Sequence, residues 1–184
     1  MDKGLGALIE GGKSSGGKDY LKLADGEQAQ VRFIQELTDV FSGYFHRIET
    51  APFNVPCRLP ERCPLCEKGD KRTFIFYISF IDRKDEQVKL MQKGKTVSNQ
   101  LVALLKAYGT VDAEGTISGT ITDRDFVISR SGSKMNDTAY TIIPLDKSAL
   151  TTAEKKLEPV DVTLLVTEPD IAVYEDLARG NGTE

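Results

Sequence analysis

This sequence predicts a mainly β protein with a helix among its strands, and three observations predict it. Several segments alternate apolar and polar residues with the period of two that a half-buried strand requires; in "EQAQVRFIQEL", Ala29, Val31 and Phe33 share one face and Gln28, Gln30 and Arg32 the other. Between strands, "TVSNQLVALLKAYG" instead carries a helical stripe through Val97, Leu101, Leu104, Leu105 and Tyr108. No apolar run approaches the roughly 20 residues of a membrane span.

Taken in order, the elements begin after a Gly/Lys-rich arm. Six of the first seventeen residues are glycine, so residues 1–19 bury too little surface to offset their backbone entropy. Gly12 to Lys18 fits G-x-x-x-x-G-K, but Asp19 follows where a phosphate loop needs Ser or Thr to hold magnesium. After "EQAQVRFIQEL" the expected strands are "FSGYFHRIET", "KRTFIFYISFIDR" and "EQVKLMQK". The third strand is apolar on both faces, so one face must meet something other than water. The helix follows, with Thr96 as N-cap and Gly109 at its end. Two more strands, "ISGTITDRDFVISRSG" and "DTAYTIIPLD", are joined through Gly132 to Asn136, and two short helices close the chain at Thr151 to Leu157 and Glu168 to Arg179. That order fits a five-stranded Greek-key barrel of the OB-fold type with a helix between strands; an unrelated small β-barrel is the alternative. The expected organisation is an arm over 1–19, one barrel domain over 20–150 with an inserted zinc-binding loop at 46–72, and an acidic segment with short helices over 151–184.

The chain has three cysteines and one histidine, and all four lie within 46–66. His46, Cys57, Cys63 and Cys66 are spaced H-x10-C-x5-C-x2-C. Three thiolates and an imidazole satisfy tetrahedral zinc, and the complete ligand set reads as a closed, structural site. Pro64 pre-sets the knuckle and Gly69 supplies a positive φ. Iron is the alternative metal. The N-terminus matches neither a secretory nor a transit peptide, so a cytoplasmic home with reduced thiols is expected, which disfavours a disulfide framework. Binding zinc consumes the sole histidine and removes the commonest general base, so the sequence does not read as an enzyme and no small-molecule substrate is expected.

Charge is divided unevenly. From Ala153 to Glu184 eight acids face three bases, a net of −5, against −4 for the whole chain; Tyr44 to Lys95 carries eleven bases and seven acids. The middle is mildly basic and the end acidic.

The "KLADGEQAQVRFI" strand, the His-Cys-Cys-Cys loop and the hairpin "ISRSGSKMNDTAYTIIPL" together resemble the bacteriophage single-stranded DNA-binding proteins of the zinc-carrying OB-fold type, over roughly residues 20–146. The resemblance implies replication or recombination in the host cytoplasm, coating of single-stranded DNA without sequence preference, structural zinc, and an acidic C-terminal segment that recruits replication proteins. The chain departs from the family in the shorter spacings of its zinc loop and in a tail that is only moderately acidic. A binder of this kind needs rings for stacking and cations for phosphates. Tyr44, Phe45, Phe53, Tyr77 and Tyr140, with Arg32, Arg47, Arg72, Arg130 and Lys134, are the candidates, and strand parity turns Arg32 and Tyr77 outward. Two rivals share these features: a zinc-ribbon interaction module that regulates a polymerase, and an accessory to a nuclease or primase.

Overall fold

The computed structural model describes residues 20–48, 54–111, 113, 117–134 and 137–180. The arm expected over 1–19 and Phe53 lie outside the described residues. In chain order the elements are β1 (Gln28–Phe33), β2 (Phe41–Arg47), β3 (Asn54–Pro56), a short helix α1 (Pro64–Lys68), β4 (Arg72–Asp82), β5 (Gln87–Gly94), α2 (Lys95–Tyr108), β6 (Thr110–Val111), β7 (Ile117–Ser118), β8 (Arg124–Ser131), β9 (Ala139–Lys147) and α3 (Ile171–Arg179). Single 3-10 turns occupy Glu154–Lys156 and Val162–Leu164.

The fold is mainly β. An open antiparallel sheet of seven strands runs β3-β2-β4-β1-β8-β9, with β5 paired to β4, while β6 and β7 pair with each other. A five-stranded sheet is thus too small a count. The three-residue β3 was too short to show any alternation, and the eleven residues of β4 leave room for several partners. The chain divides into two compact units that do not follow its order. Among the described residues, one unit holds 42–75 and 161–180, the other 20–41 and 76–160.

In the larger unit β1 lies between β4 and β8, with Phe33 opposite Phe80 and Val31 opposite Phe126. Of the inward positions that parity predicts, Val31, Phe33, Phe76, Ile78 and Phe80 are buried while Ala29 and Phe74 are only partly so, and the Phe33 and Phe126 rings pack at 5.2 Å. Helix α2 buries Val97 and Leu101 of its stripe and leaves Tyr108 exposed. It starts one residue before Thr96, with Gly94 at the N-cap position. The helix expected over Thr151 to Leu157 is only the 3-10 turn, whose Glu154 carboxylate accepts from the Thr151 N–H at 2.6 Å. This stretch has no apolar stripe to bury, so nothing extends the turn.

Strand β4 is buried on both faces from Ile75 to Asp82. Its second face is covered by remote segments of the same unit. Tyr77 packs edge-on against Phe41 at 5.9 Å and its hydroxyl accepts from Gln92 Nε2 at 3.1 Å; the Ser79 N–H donates to Gln35 Oε1 at 2.7 Å, and Ser79 Oγ accepts from the Val160 N–H at 3.0 Å. Tyr77 is 5% exposed. Parity turned it away from the face of Phe76, Ile78 and Phe80 as expected, but its own side is not open to solvent. Replacing Tyr77 with alanine is therefore expected to cost about 3–5 kcal/mol of stability, the range for deleting a buried ring, read as a lowered urea midpoint.

Arg32 is corrected in the same way. It is 1% exposed, its Nε donates to Asp125 Oδ1 at 2.6 Å and its Nη1 to the Ser148 carbonyl at 3.0 Å, with Nη2 on Ser148 Oγ. Asp125 also accepts from Arg83 Nε at 2.7 Å and Gln30 Nε2 at 2.8 Å, and Arg83 binds Glu154. A guanidinium committed to this buried network is not a phosphate contact.

Candidate metal centre and ring–cation pairs

The cluster is built by two elements meeting in the smaller unit. β2 and β3 pair with His46 opposite Val55, and the Cys57 N–H donates to the Tyr44 carbonyl at 2.7 Å, which places Cys57 beside His46. Cys63 then stands at the N-cap position of α1, with Pro64 at the first helical position, where its missing N–H costs nothing. The helix ends after one turn because Gly69 takes φ 92°, and its N–H closes on the Cys66 carbonyl at 3.0 Å. Cys66 is thereby folded back beside Cys63, while Leu65 between them is fully buried.

The four ligand atoms lie within 4.8 Å of one another. His46 Nε2 stands 3.4 Å from Cys63 Sγ and 3.4 Å from Cys66 Sγ, and Cys57 Sγ stands 3.5 Å from Cys66 Sγ. Ligands at about 2.0–2.3 Å around a tetrahedral ion are separated by about 3.5–3.8 Å; the three separations of 3.4–3.5 Å are close to such edges, while the set as a whole extends to 4.8 Å. His46 is fully buried. Burial lowers its pKa against the pull of the Asp70 carboxylate, so the imidazole is the neutral form that metals bind. Burial alone would raise the Cys63 thiol, but the backbone N–H groups of Cys66 and Arg58 and the neighbouring thiols outweigh it and hold its pKa low. Cys66, buried and crowded by the other two sulfurs, is pushed up to about 12. Packed this closely, the thiols resist ionising together, a conflict of the kind that binding a divalent cation relieves.

The nucleic-acid candidates separate into interior and surface groups. Arg32, Phe45 and Tyr77 are interior, at 1%, 2% and 5% exposure. In the smaller unit Tyr44 is 47% exposed, its ring edge-on to Phe74 at 5.8 Å and capped by the Arg72 guanidinium at 4.6 Å. Arg72 Nη1 also lies 4.0 Å from Cys57 Sγ, and Arg47 is exposed on β2. In the larger unit Tyr140 is half-buried with Lys93 Nζ 4.0 Å over its ring. Lys134 is exposed in the β8–β9 turn. Arg130 is half-buried and holds the Leu23 carbonyl at 2.7 Å and Thr138 Oγ1 at 3.3 Å, so it fastens the hairpin to the chain before β1. Sequence reasoning missed Lys93, Phe74 and a third pair, Arg124 over Tyr108 at 4.7 Å. Lys93 and Arg124 sit at strand ends next to alternating segments, a signal too common to single them out.

No helix among the described residues is long and apolar enough to cross a membrane. No known family, curated protein or solved structure matches this chain.

Proposed function

We propose that this protein binds single-stranded DNA without sequence preference in replication or recombination, on an OB-type barrel, and that its cluster of one histidine and three cysteines holds structural zinc. Three thiolates and one imidazole with no position left open favour zinc in a bracing role over a catalytic metal. The observation that carries the DNA reading is the capped ring at Tyr44: nearly half exposed, with Phe74 at its edge and Arg72 across one face. A base stacks on such a ring while the neighbouring guanidinium meets the phosphate. The Tyr140–Lys93 pair repeats the arrangement in the larger unit. The acidic segment 151–184 is the proposed docking region for replication proteins; its Leu164 is 78% exposed between Asp161 and Glu168.

A fluorescence titration with oligo-dT tests this. Affinity is expected to fall steeply between about 50 and 200 mM salt, since each phosphate contact releases condensed counterions. Tyr44→Ala is expected to weaken binding by about 1–3 kcal/mol with an unchanged urea midpoint. Weak binding that ignores salt, with Tyr44→Ala indistinguishable from the parent, would favour the polymerase-docking module instead.

A further inference from the structure

Helix α3 does not dangle as an acidic tail; its buried face is joined to the ligand loop. Val173, Tyr174 and Leu177 share one core cluster with Val55, Cys63 and Leu65, and Cys57 and Cys66 pack against it. Tyr174 is fully buried and donates its hydroxyl to the Pro56 carbonyl at 2.7 Å. The Arg58 guanidinium lies 5.6 Å from the Tyr174 ring centroid and pairs with Glu168 at 2.6 Å, and Arg62 pairs with Glu175 at 2.8 Å. Each of these loop residues adjoins a cysteine in the chain: Pro56 and Arg58 flank Cys57, Arg62 precedes Cys63, and Leu65 precedes Cys66. A shift of the sulfurs therefore moves the floor on which α3 rests.

We infer that metal binding and docking of α3 are one linked equilibrium: the ion shapes the surface that takes the helix, and its loss releases the C-terminal segment. Among the described residues, the cluster that buries the apolar face of α3 has its other buried members at Val55, Cys63 and Leu65, so the helix rests on the stretch that carries the sulfurs. The apolar face of α3 thus depends on a loop that the metal organises. Linkage is reciprocal, so undocking the helix weakens the metal by the factor with which the metal favours docking. This inference rests on reading His46, Cys57, Cys63 and Cys66 as a metal centre.

The test uses the full chain. Amide hydrogen exchange is followed with zinc bound, after treatment with 1,10-phenanthroline, and after zinc is restored, with metal content measured on the same samples. Protection over 171–179 is expected to fall at least about tenfold on chelation and to return with zinc, while β8 and β9 keep theirs. A metal-free chain that keeps 171–179 protected overturns the linkage and leaves the metal reading standing. Loss of protection that extends to β8 and β9 also overturns it, because the helix would then fall with the whole chain. A chain that neither carries nor takes up zinc removes the metal reading itself, and the linkage with it. Tyr174→Phe keeps the ring and removes only the hydroxyl. Its zinc affinity, measured by competition with a chromogenic chelator, is expected to drop roughly fivefold because the Pro56 carbonyl loses its buried donor. Unchanged affinity would count against the linkage.

Discussion

Replacing Cys63 with serine is expected to abolish stoichiometric zinc binding and to disorder the unit of residues 42–75 and 161–180. Cys63 is 2% exposed and has two positions at once: its sulfur faces His46 Nε2 at 3.4 Å, and it belongs to the apolar cluster with Val55, Leu65 and Tyr174. Serine is close in size but offers a hard hydroxyl in place of a thiolate, so the fit is kept while the ligand is lost. Structural zinc contributes an apparent ~10–16 kcal/mol in small sites, as much as the whole stability of an ordinary domain at about 5–15 kcal/mol. No apolar cluster of six buried residues compensates for that. Metal per chain by mass spectrometry and near-ultraviolet circular dichroism read the two effects separately. A Cys63→Ser chain that holds one zinc and keeps its tertiary signal would overturn the assignment of this sulfur as a ligand.

The second large effect lies in the other unit. Asp125→Ala is expected to destabilise the chain by about 3–5 kcal/mol, the cost of leaving a buried charge without its partner. Asp125 receives Arg32, Arg83 and Gln30 at 2.6 to 2.9 Å, and Arg32 at 1% exposure has no route to water once the carboxylate is gone. By contrast, breaking the exposed Arg179–Asp176 pair is expected to change stability by well under about 1 kcal/mol. Urea midpoints of the two variants make the comparison. The same network sets an acid limit. Burial alone would raise Asp125, but Arg83, Gln30 and Arg32 outweigh it and bring its pKa to about 2; the Arg83 hydrogen bond leads in bringing Glu154 to about 2. Both lie below the unfolded values of about 3.9 and 4.3. Their stabilisation is thus complete above about pH 5 and disappears as pH falls from about 4 through 2. In Asp125→Ala this acid-sensitive part of the unfolding curve should shrink.

Most of the strands were legible because alternation is local. β1 carries a period of two, β4 is an eleven-residue run apolar on both faces, and β2, β5, β8 and β9 also read as strands, while the short-range signals Pro64 and Gly69 marked the knuckle. β3 was not legible, since three residues cannot display a period. The ring and cation candidates were legible as residue types but not as surfaces. Arg32, Phe45 and Tyr77 alternate as exposed residues would, yet Arg32 and Tyr77 are covered by segments that parity cannot name.

By itself the sequence determined the grouping of His46 with the three cysteines, the strand parity and the helix stripe, because each depends on residues near one another in the chain and on the chemistry of the side chains. Only the tertiary structure decided what covers each face. Arg32 meets Asp125 across 93 positions, and Tyr174 meets Pro56 across 118. Burial is a property of partners brought together by the whole chain, and a pattern within one segment carries no record of which remote segment will arrive.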